Sequence, residues 1–287
     1  MLNRTNDNFL RLLQSKSANL VFESESEYPF NLIEVHAEKE FFFSDYLIKL
    51  NVLQEVDKYS FCQDVTNNLQ VISNNYIELT ELFDALTENC RIIKLVWADF
   101  DFFNEFYPGI LSFYIVIGQL KSGSFVGFST KLYEALVDNP SEAEWISVHP
   151  DFKVDLTEEN LHIIRSFNLI NARATFSTAT PFFDETWTMP TFGDFVIEFN
   201  SDELLLLDKL LHSSRILDVE PLTLESFGWE WEDEEYTIKI RELVDFLNAN
   251  LSKTKLYSMG FIDCHLYMIG ERSPGYFVGL STIEVGT

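Results

Sequence analysis

The stretch Ile117–Thr130, IGQLKSGSFVGFST, returns 152 residues later as Ile269–Thr282, IGERSPGYFVGLST, with the same residue at eight of fourteen positions. The shared positions are the leading isoleucine, Gly118/Gly270, Gly123/Gly275, Gly127/Gly279, the Phe-Val pair before the last glycine and the Ser-Thr pair after it. Glycine recurs where a chain turns with positive φ or packs close to another backbone, so both copies fix the same backbone points. Upstream, ELFDALTEN (Glu81–Asn89) and ELVDFLNAN (Glu242–Asn250) share Glu, Leu, Asp, Leu and Asn at equal spacing. Two motifs in the same order, separated by a small domain's length, argue for a duplicated domain and against a short-period solenoid.

A chain of 287 residues accommodates two such domains, and 46% apolar content with 27 phenylalanines supplies two cores. With 46 acidic against 20 basic residues the formal net charge is −26. Nucleic acid and anionic membrane would both be repelled by such a chain, whereas a basic protein would be attracted. The same charge also serves to keep a Phe-rich surface soluble. Cys62, Cys90 and Cys264 are odd in number and lack a C-x-x-C spacing, the pattern of free thiols in a reducing compartment, here the cytoplasm. The first 17 residues, MLNRTNDNFLRLLQSKS, hold no apolar run of signal-peptide type, and no later run approaches the roughly 18 apolar residues of a membrane span.

Periodicity predicts a helix over Asn8–Leu20, a short strand at Val21 and Phe22, extended or mixed segments at Asn31–Val35 and Phe41–Val52, and an amphipathic helix over Glu78–Cys90. Strands follow at Ile92–Val96 and Leu111–Ile117; the latter, LSFYIVI, is continuously apolar and reads as a central strand covered on both faces. Phe125–Tyr133 returns as the second arm of a hairpin. The second half repeats the scheme, with helices at Glu158–Asn171 and Tyr236–Leu251, a leucine-rich Glu203–Leu211, and strands at Phe195–Phe199, Lys255–Met259, Phe261–Ile269 and Tyr276–Val285. Helices interleaved with doubly covered strands predict an α/β fold of two tandem three-layer α/β/α sandwich domains, each ending in a β-hairpin. Their boundaries fall at 1–136 and 157–287, with a linker at 137–156.

The string FESESEYPF (Phe22–Phe30), an acidic helix in mid-domain and a terminal hairpin of the form I-G-x-x-x-x-G-x-F-V-G-[FL]-S-T with a very short tail resemble the nuclease A inhibitor family. That family comprises small bacterial proteins that block a Mg²⁺-dependent nuclease acting on both DNA and RNA, on an α/β/α sandwich similar to the plant pathogenesis-related protein fold. The resemblance implies a non-enzymatic inhibitor with no cofactor of its own, whose acidic surface covers the basic groove of its target.

It also implies a site. In the family a glutamate of the SESEYPF-like loop reaches the nuclease metal, assisted by a threonine at the extreme C-terminus; Mg²⁺ prefers hard oxygen ligands, so a carboxylate can take the place of a phosphate oxygen. Carried over, the metal-directed glutamate is Glu25, flanked by Ser24, Ser26 and Glu27, and the threonine is Thr287. GWEWEDEEY (Gly228–Tyr236) resembles the family's tryptophan and acidic run before the long helix, which makes Trp229 and Trp231 contact candidates. The plainer readings make Ser24 a cap, Glu25 and Glu27 solvated charges, Tyr28 and Phe30 core, and Glu232–Glu235 favourable charges at a helix N-terminus.

Each half keeps one part of that site. The position of the last threonine falls on Ala135 in the first copy, and Ser177 and Ala179 of FSTATPF (Phe176–Phe182) stand against Glu25 and Glu27 in the second. The first half acting through Glu25 alone is the simplest solution; convergence of Glu25 with Thr287 is the other. Catalysis finds no support, since His36, His149, His162, His212 and His265 form no H-E-x-x-H spacing and neither a G-x-S-x-G nor a phosphate-cradling loop occurs. The alternative function is an acidic DNA-mimic or immunity-type protein acting on another nucleic-acid-binding protein.

Overall fold

The computed structural model describes residues 2–18, 20–23, 27–38, 40–57, 83–88, 90–98, 113–133, 191–227, 234–260 and 263–285. The fold is mixed α/β with antiparallel sheets. The chain forms two compact units, Met1–Phe41 with Leu217–Thr287, and Phe42–Ile216. This division does not coincide with the sequential 1–136/157–287 boundaries: both chain ends build the first unit, and the 137–156 linker lies outside the described residues.

The first unit holds helix α1 (Leu2–Ser17), the short strands β1 (Val21–Glu23) and β2 (Glu27–Pro29), and strand β3 (Asn31–His36). From the far end of the chain come β9 (Leu217–Pro221), a single 3₁₀ turn (Glu225–Phe227), a long helix (Glu234–Asn250), β10 (Ser252–Gly260), β11 (Asp263–Ser273) and β12 (Tyr276–Val285). Strands pair in the order β3-β12-β11-β10-β9, every described pairing antiparallel, while β1 and β2 form a separate two-stranded sheet. Alternation sends Leu256, Leu266, Met268, Val278 and Leu280 to one face, where they join Phe9 and Leu13 of α1 and Ile240, Leu243 and Leu247 of the long helix in a single core. Phe9 stacks on Phe246 at 5.6 Å, and the Arg272 guanidinium lies 4.6 Å from the Phe9 ring. The opposite face, with Ile33, Val35, Tyr257, Met259, Tyr267, Ile269 and Phe277, is buried too, and Phe41 packs there on Tyr257 and Phe277.

The second unit holds α2 (Phe43–Lys49), β4 (Leu53–Val56), a helical segment at 83–88, β5 (Ile92–Ala98), β6 (Phe113–Gln119), β7 (Phe125–Tyr133), β8 (Thr191–Asn200) and α3 (Glu203–Ser213); the long helix of the first unit is accordingly α4. The strand order is β4-β5-β6-β7-β8. Consecutive Ile115, Val116 and Ile117 of β6 are all buried, as a central strand covered on both faces requires. Helix α3 starts from an Asp202 cap that accepts from the Leu204 and Leu205 amides, and it lies so close to β7 that a Cβ on Gly127 would sit 2.7 Å from Leu210 Cδ1.

The recurring string adopts the same pairing twice: Ile117 opposite Gly127 and Gly118 opposite Val126 in β6–β7, Ile269 opposite Gly279 and Gly270 opposite Val278 in β11–β12. A further correspondence was not legible in the sequence. The hydrogen bonds that end α2 (Leu50 N to Tyr46 O, Asn51 N to Ile48 O, Val52 N to Leu47 O) recur 164 residues later at the end of α3 (Ser214 to Leu210, Arg215 to His212, Ile216 to Leu211), with Asn51 and Arg215 both at φ near +60°. The edge strands break the sequential order: β3 pairs with β12 and β8 with β7, so each hairpin takes its neighbour from the other half of the chain.

One expectation shifts: Phe41–Val52, read as extended or mixed, contains α2. The helix predicted at Glu158–Asn171 lies outside the described residues.

Candidate functional site

The β1–β2 hairpin carries the SESEYPF string. Val21 pairs with Pro29, Phe22 with Tyr28 and Glu23 with Glu27, so residues 24–26 connect the two strands. The hairpin is held from below by apolar packing. Phe22 is fully buried, edge-on to Phe30 at 6.3 Å and tilted against Phe227 at 5.8 Å. Two hydrogen bonds then fasten it from its two sides. The Tyr236 hydroxyl, in the first turn of α4, donates to Val21 O at 2.8 Å, and the Thr282 hydroxyl of β12 donates to Tyr28 O at 3.2 Å. Both donors belong to buried residues, at 5% and 2% exposure, and the bonds themselves are part-buried.

Of the site residues inferred from sequence, Glu27 is the first residue of β2 and exposed. Ser24, Glu25, Ser26, Trp229, Trp231 and Thr287 lie outside the described residues, as do Ser177 and Ala179. Their flanks are described, and they converge. The segment containing both tryptophans enters α4, whose Tyr236 bonds β1; the chain end containing Thr287 leaves β12, whose Thr282 bonds β2. Phe30 is core, as the plainer reading had it, and Tyr28 is half-buried.

Sequence reasoning missed Tyr236 and Thr282 as the residues that hold this region together. Signals existed: Tyr236 closes the GWEWEDEEY string, and Thr282 belongs to the recurring Ser-Thr pair.

Acid dominates the surroundings. Glu235 lies in the first turn of α4, where the helix dipole favours anions, and it also pairs with Lys239 at 2.8 Å on the surface. The Glu225 carboxyl is held below its usual range by hydrogen bonds from its own backbone amide and from the Thr223 hydroxyl, and so stays ionised. At the same end of the sheet, where Cys264 opposes Glu284 two residues beyond Thr282, burial pushes the Cys264 thiol up to about 12, with Glu284 and Asp218 adding to the effect; Cys264 and Cys90 are free cysteines, and Cys62 lies outside the described residues. No described helix is long and apolar enough to cross a membrane.

A five-stranded sheet with α1 and α4 in the core on one face, and a hairpin bonded to the first turn of α4 and to the last strand, makes up this part of the unit. Residues 220–287 match the family model of the nuclease A inhibitor-like proteins. The match begins in β9 and takes in α4, β10, β11, β12 and the tail, the larger part of the first unit. No curated protein matches the chain.

Proposed function

We propose that the protein is a non-enzymatic inhibitor of a Mg²⁺-dependent, sugar-non-specific nuclease, and that it acts through the hairpin end of the first unit. The family match of residues 220–287 supports the class. The observation that carries the site is the fastening of the β1–β2 hairpin by Tyr236 and Thr282, because it links the three segments holding Glu25, the tryptophans and Thr287 within one compact unit. In this reading Glu25 and Thr287 act together at one end of the first unit, in place of Glu25 acting alone from a self-contained first half. The β3–β12 register points the same way: Asn31 opposes Ser281, and β12 runs on past Thr282 beside β2 toward the hairpin tip. The scaffold in this reading is a three-layer α/β/α sandwich in each unit, supported by sheets buried on both faces.

The chemistry follows from charge. The target's groove is basic because it holds phosphates, and a chain of net charge −26 is drawn to it. Glu25 then supplies a carboxylate oxygen to the partner's Mg²⁺, with Trp229 or Trp231 giving apolar contact beside it. The protein needs no cofactor and binds neither nucleic acid nor membrane.

The test is inhibition of such a nuclease by the full chain and by Glu25→Gln. Glutamine keeps the size but removes the charge on the metal ligand, so affinity falls by about 2–5 kcal/mol. Glu27→Gln, at an exposed position, costs about 1 kcal/mol or less. Wild-type inhibition by Glu25→Gln with an unchanged fold refutes the metal-ligand role. Failure of the full chain to inhibit, together with competition against DNA for an unrelated DNA-binding domain, would favour the DNA-mimic alternative.

A further inference from the structure

We infer that Tyr236 and Thr282 are positioning residues, which hold the β1–β2 hairpin in its binding-competent conformation before any partner arrives; this rests on the reading of that hairpin as the inhibitory element. Among the described strands β1 and β2, three residues each, pair only with one another, and such a sheet has little stability in water by itself. What orders it must come from outside. Phe22 and Phe30 anchor the base apolarly, but apolar attraction is by itself non-directional. The two hydroxyls supply the missing direction: one grips β1 at Val21 O, the other β2 at Tyr28 O. A hairpin whose two strands are held before binding has less entropy to lose on binding, and entropy not lost appears as affinity.

The hydroxyls sit on elements of different origin. Tyr236 is placed by α4, whose Ile240, Leu243 and Leu247 are locked in the core, and Thr282 by β12, paired to β11 throughout. The hairpin therefore inherits the rigidity of both, and the Thr of the recurring Ser-Thr pair acquires a role.

The experiment uses the full-length protein with Tyr236→Phe, Thr282→Val and, as the conservative control, Thr282→Ser. In the free protein, amide exchange over residues 21–29 is expected to rise about three- to tenfold in Tyr236→Phe and in Thr282→Val, with protection of β10–β12 retained, while Thr282→Ser stays near wild type. Against a Mg²⁺-dependent sugar-non-specific nuclease, the same two variants are expected to weaken binding by about three- to tenfold, and the pair together by more than either alone. Unchanged exchange over 21–29 in both variants overturns the inference. So does faster exchange with unchanged affinity, provided Glu25→Gln still abolishes tight binding. If Glu25→Gln also binds like wild type, it is the inhibitory reading of the hairpin that falls.

Discussion

Deleting residues 2–41 tests whether the second half of the chain is a self-contained domain. The deletion removes Phe9, Leu13, Leu20, Phe22 and Phe30 from the core of the first unit, all between 0 and 8% exposed. Burying a side chain of this size contributes about 1.5–3 kcal/mol, so the five together supply about 8–15 kcal/mol. That matches the entire net stability of an ordinary domain, about 5–15 kcal/mol. Removing β3 also strips the β12 edge of its partner and takes Ile33 and Val35 from the other face. The remaining 217–287 segment is expected not to fold, although it contains the whole family match. Hydrogen exchange followed by mass spectrometry would then show β10–β12 unprotected while β5–β7 of the second unit stay protected, and nuclease inhibition would vanish. A synthetic peptide of residues 1–41 added in trans should restore part of the protection. A deleted chain whose β11–β12 amides remain protected, with a wild-type unfolding transition, would refute the reasoning and restore the sequential division at 136/157.

Three further perturbations have definite signs. Burial holds the His265 imidazole down at about 4, so the folded state stays unprotonated while the unfolded chain takes up a proton below about 6.5; the stability this gives is intact above pH 6.5 and is lost as pH falls toward 4, about 2 kcal/mol between pH 7 and 5, and urea melts of His265→Gln should lack that increment. Gly275→Ala should cost more than Gly123→Ala by thermal melt: both have positive φ, but a Cβ on Gly275 would lie 2.5 Å from Ala37 O whereas Gly123 faces open space, leaving it the conformational cost alone, about 1–2 kcal/mol. Association with the nuclease should slow at least tenfold between about 0.05 and 0.5 M salt while dissociation changes little, because the net charge steers encounter more than it holds the complex; a salt-independent association rate would remove the electrostatic argument.

How far the fold could be read from sequence depended on where each element's determinants lie. Hairpins β6–β7 and β11–β12, central β6 and helix α4 carry their instructions locally, as apolar period and glycine placement, and the readings there coincide with the structure to within a few residues. Helix α2 does not. Its N-cap position is Phe42, with no side-chain cap, and its first amides are satisfied instead by Asp208, whose carboxylate accepts from Phe43 N at 3.1 Å and Ser44 N at 2.7 Å from 165 and 164 residues away. A window over Phe41–Val52 contains no trace of that partner. The exchange of edge strands was equally hidden, since β3 and β8 each present an apolar pair, Ile33 and Val35 against Ile197 and Phe199, that suits either hairpin. From sequence, Glu25 and Thr287 likewise fell in different halves, with convergence as the alternative, whereas the described strands next to them in sequence, β1, β2 and β12, belong to one unit.

The same exchange bears on how many nucleases one chain can hold. In the first unit β12 pairs with β3 only as far as Ser281, and beyond it runs beside the separate β1–β2 hairpin. In the second unit the matching stretch of β7 stays paired with a single long strand, Thr130 to Phe195, Leu132 to Phe192 and Tyr133 to Thr191. Strand β8 thus fills the place that β2 has in the first unit. The counterpart of SESEYPF then falls just before and within β8, about ten residues after the FSTATPF string that sequence alignment suggested. Carried along the same register, in which Ile33 opposes Gly279 and Glu198 opposes Gly127, Glu25 corresponds in sequence to Pro190, which lies outside the described residues. A proline side chain offers Mg²⁺ no oxygen, so in this reading the second unit lacks the carboxylate on which the proposed inhibition turns. One chain should therefore bind one nuclease, with a calorimetric stoichiometry near one and a single species of matching mass in native mass spectrometry. A stoichiometry of two for the wild-type chain, or a second equivalent surviving Glu25→Gln, would refute the single-site reading.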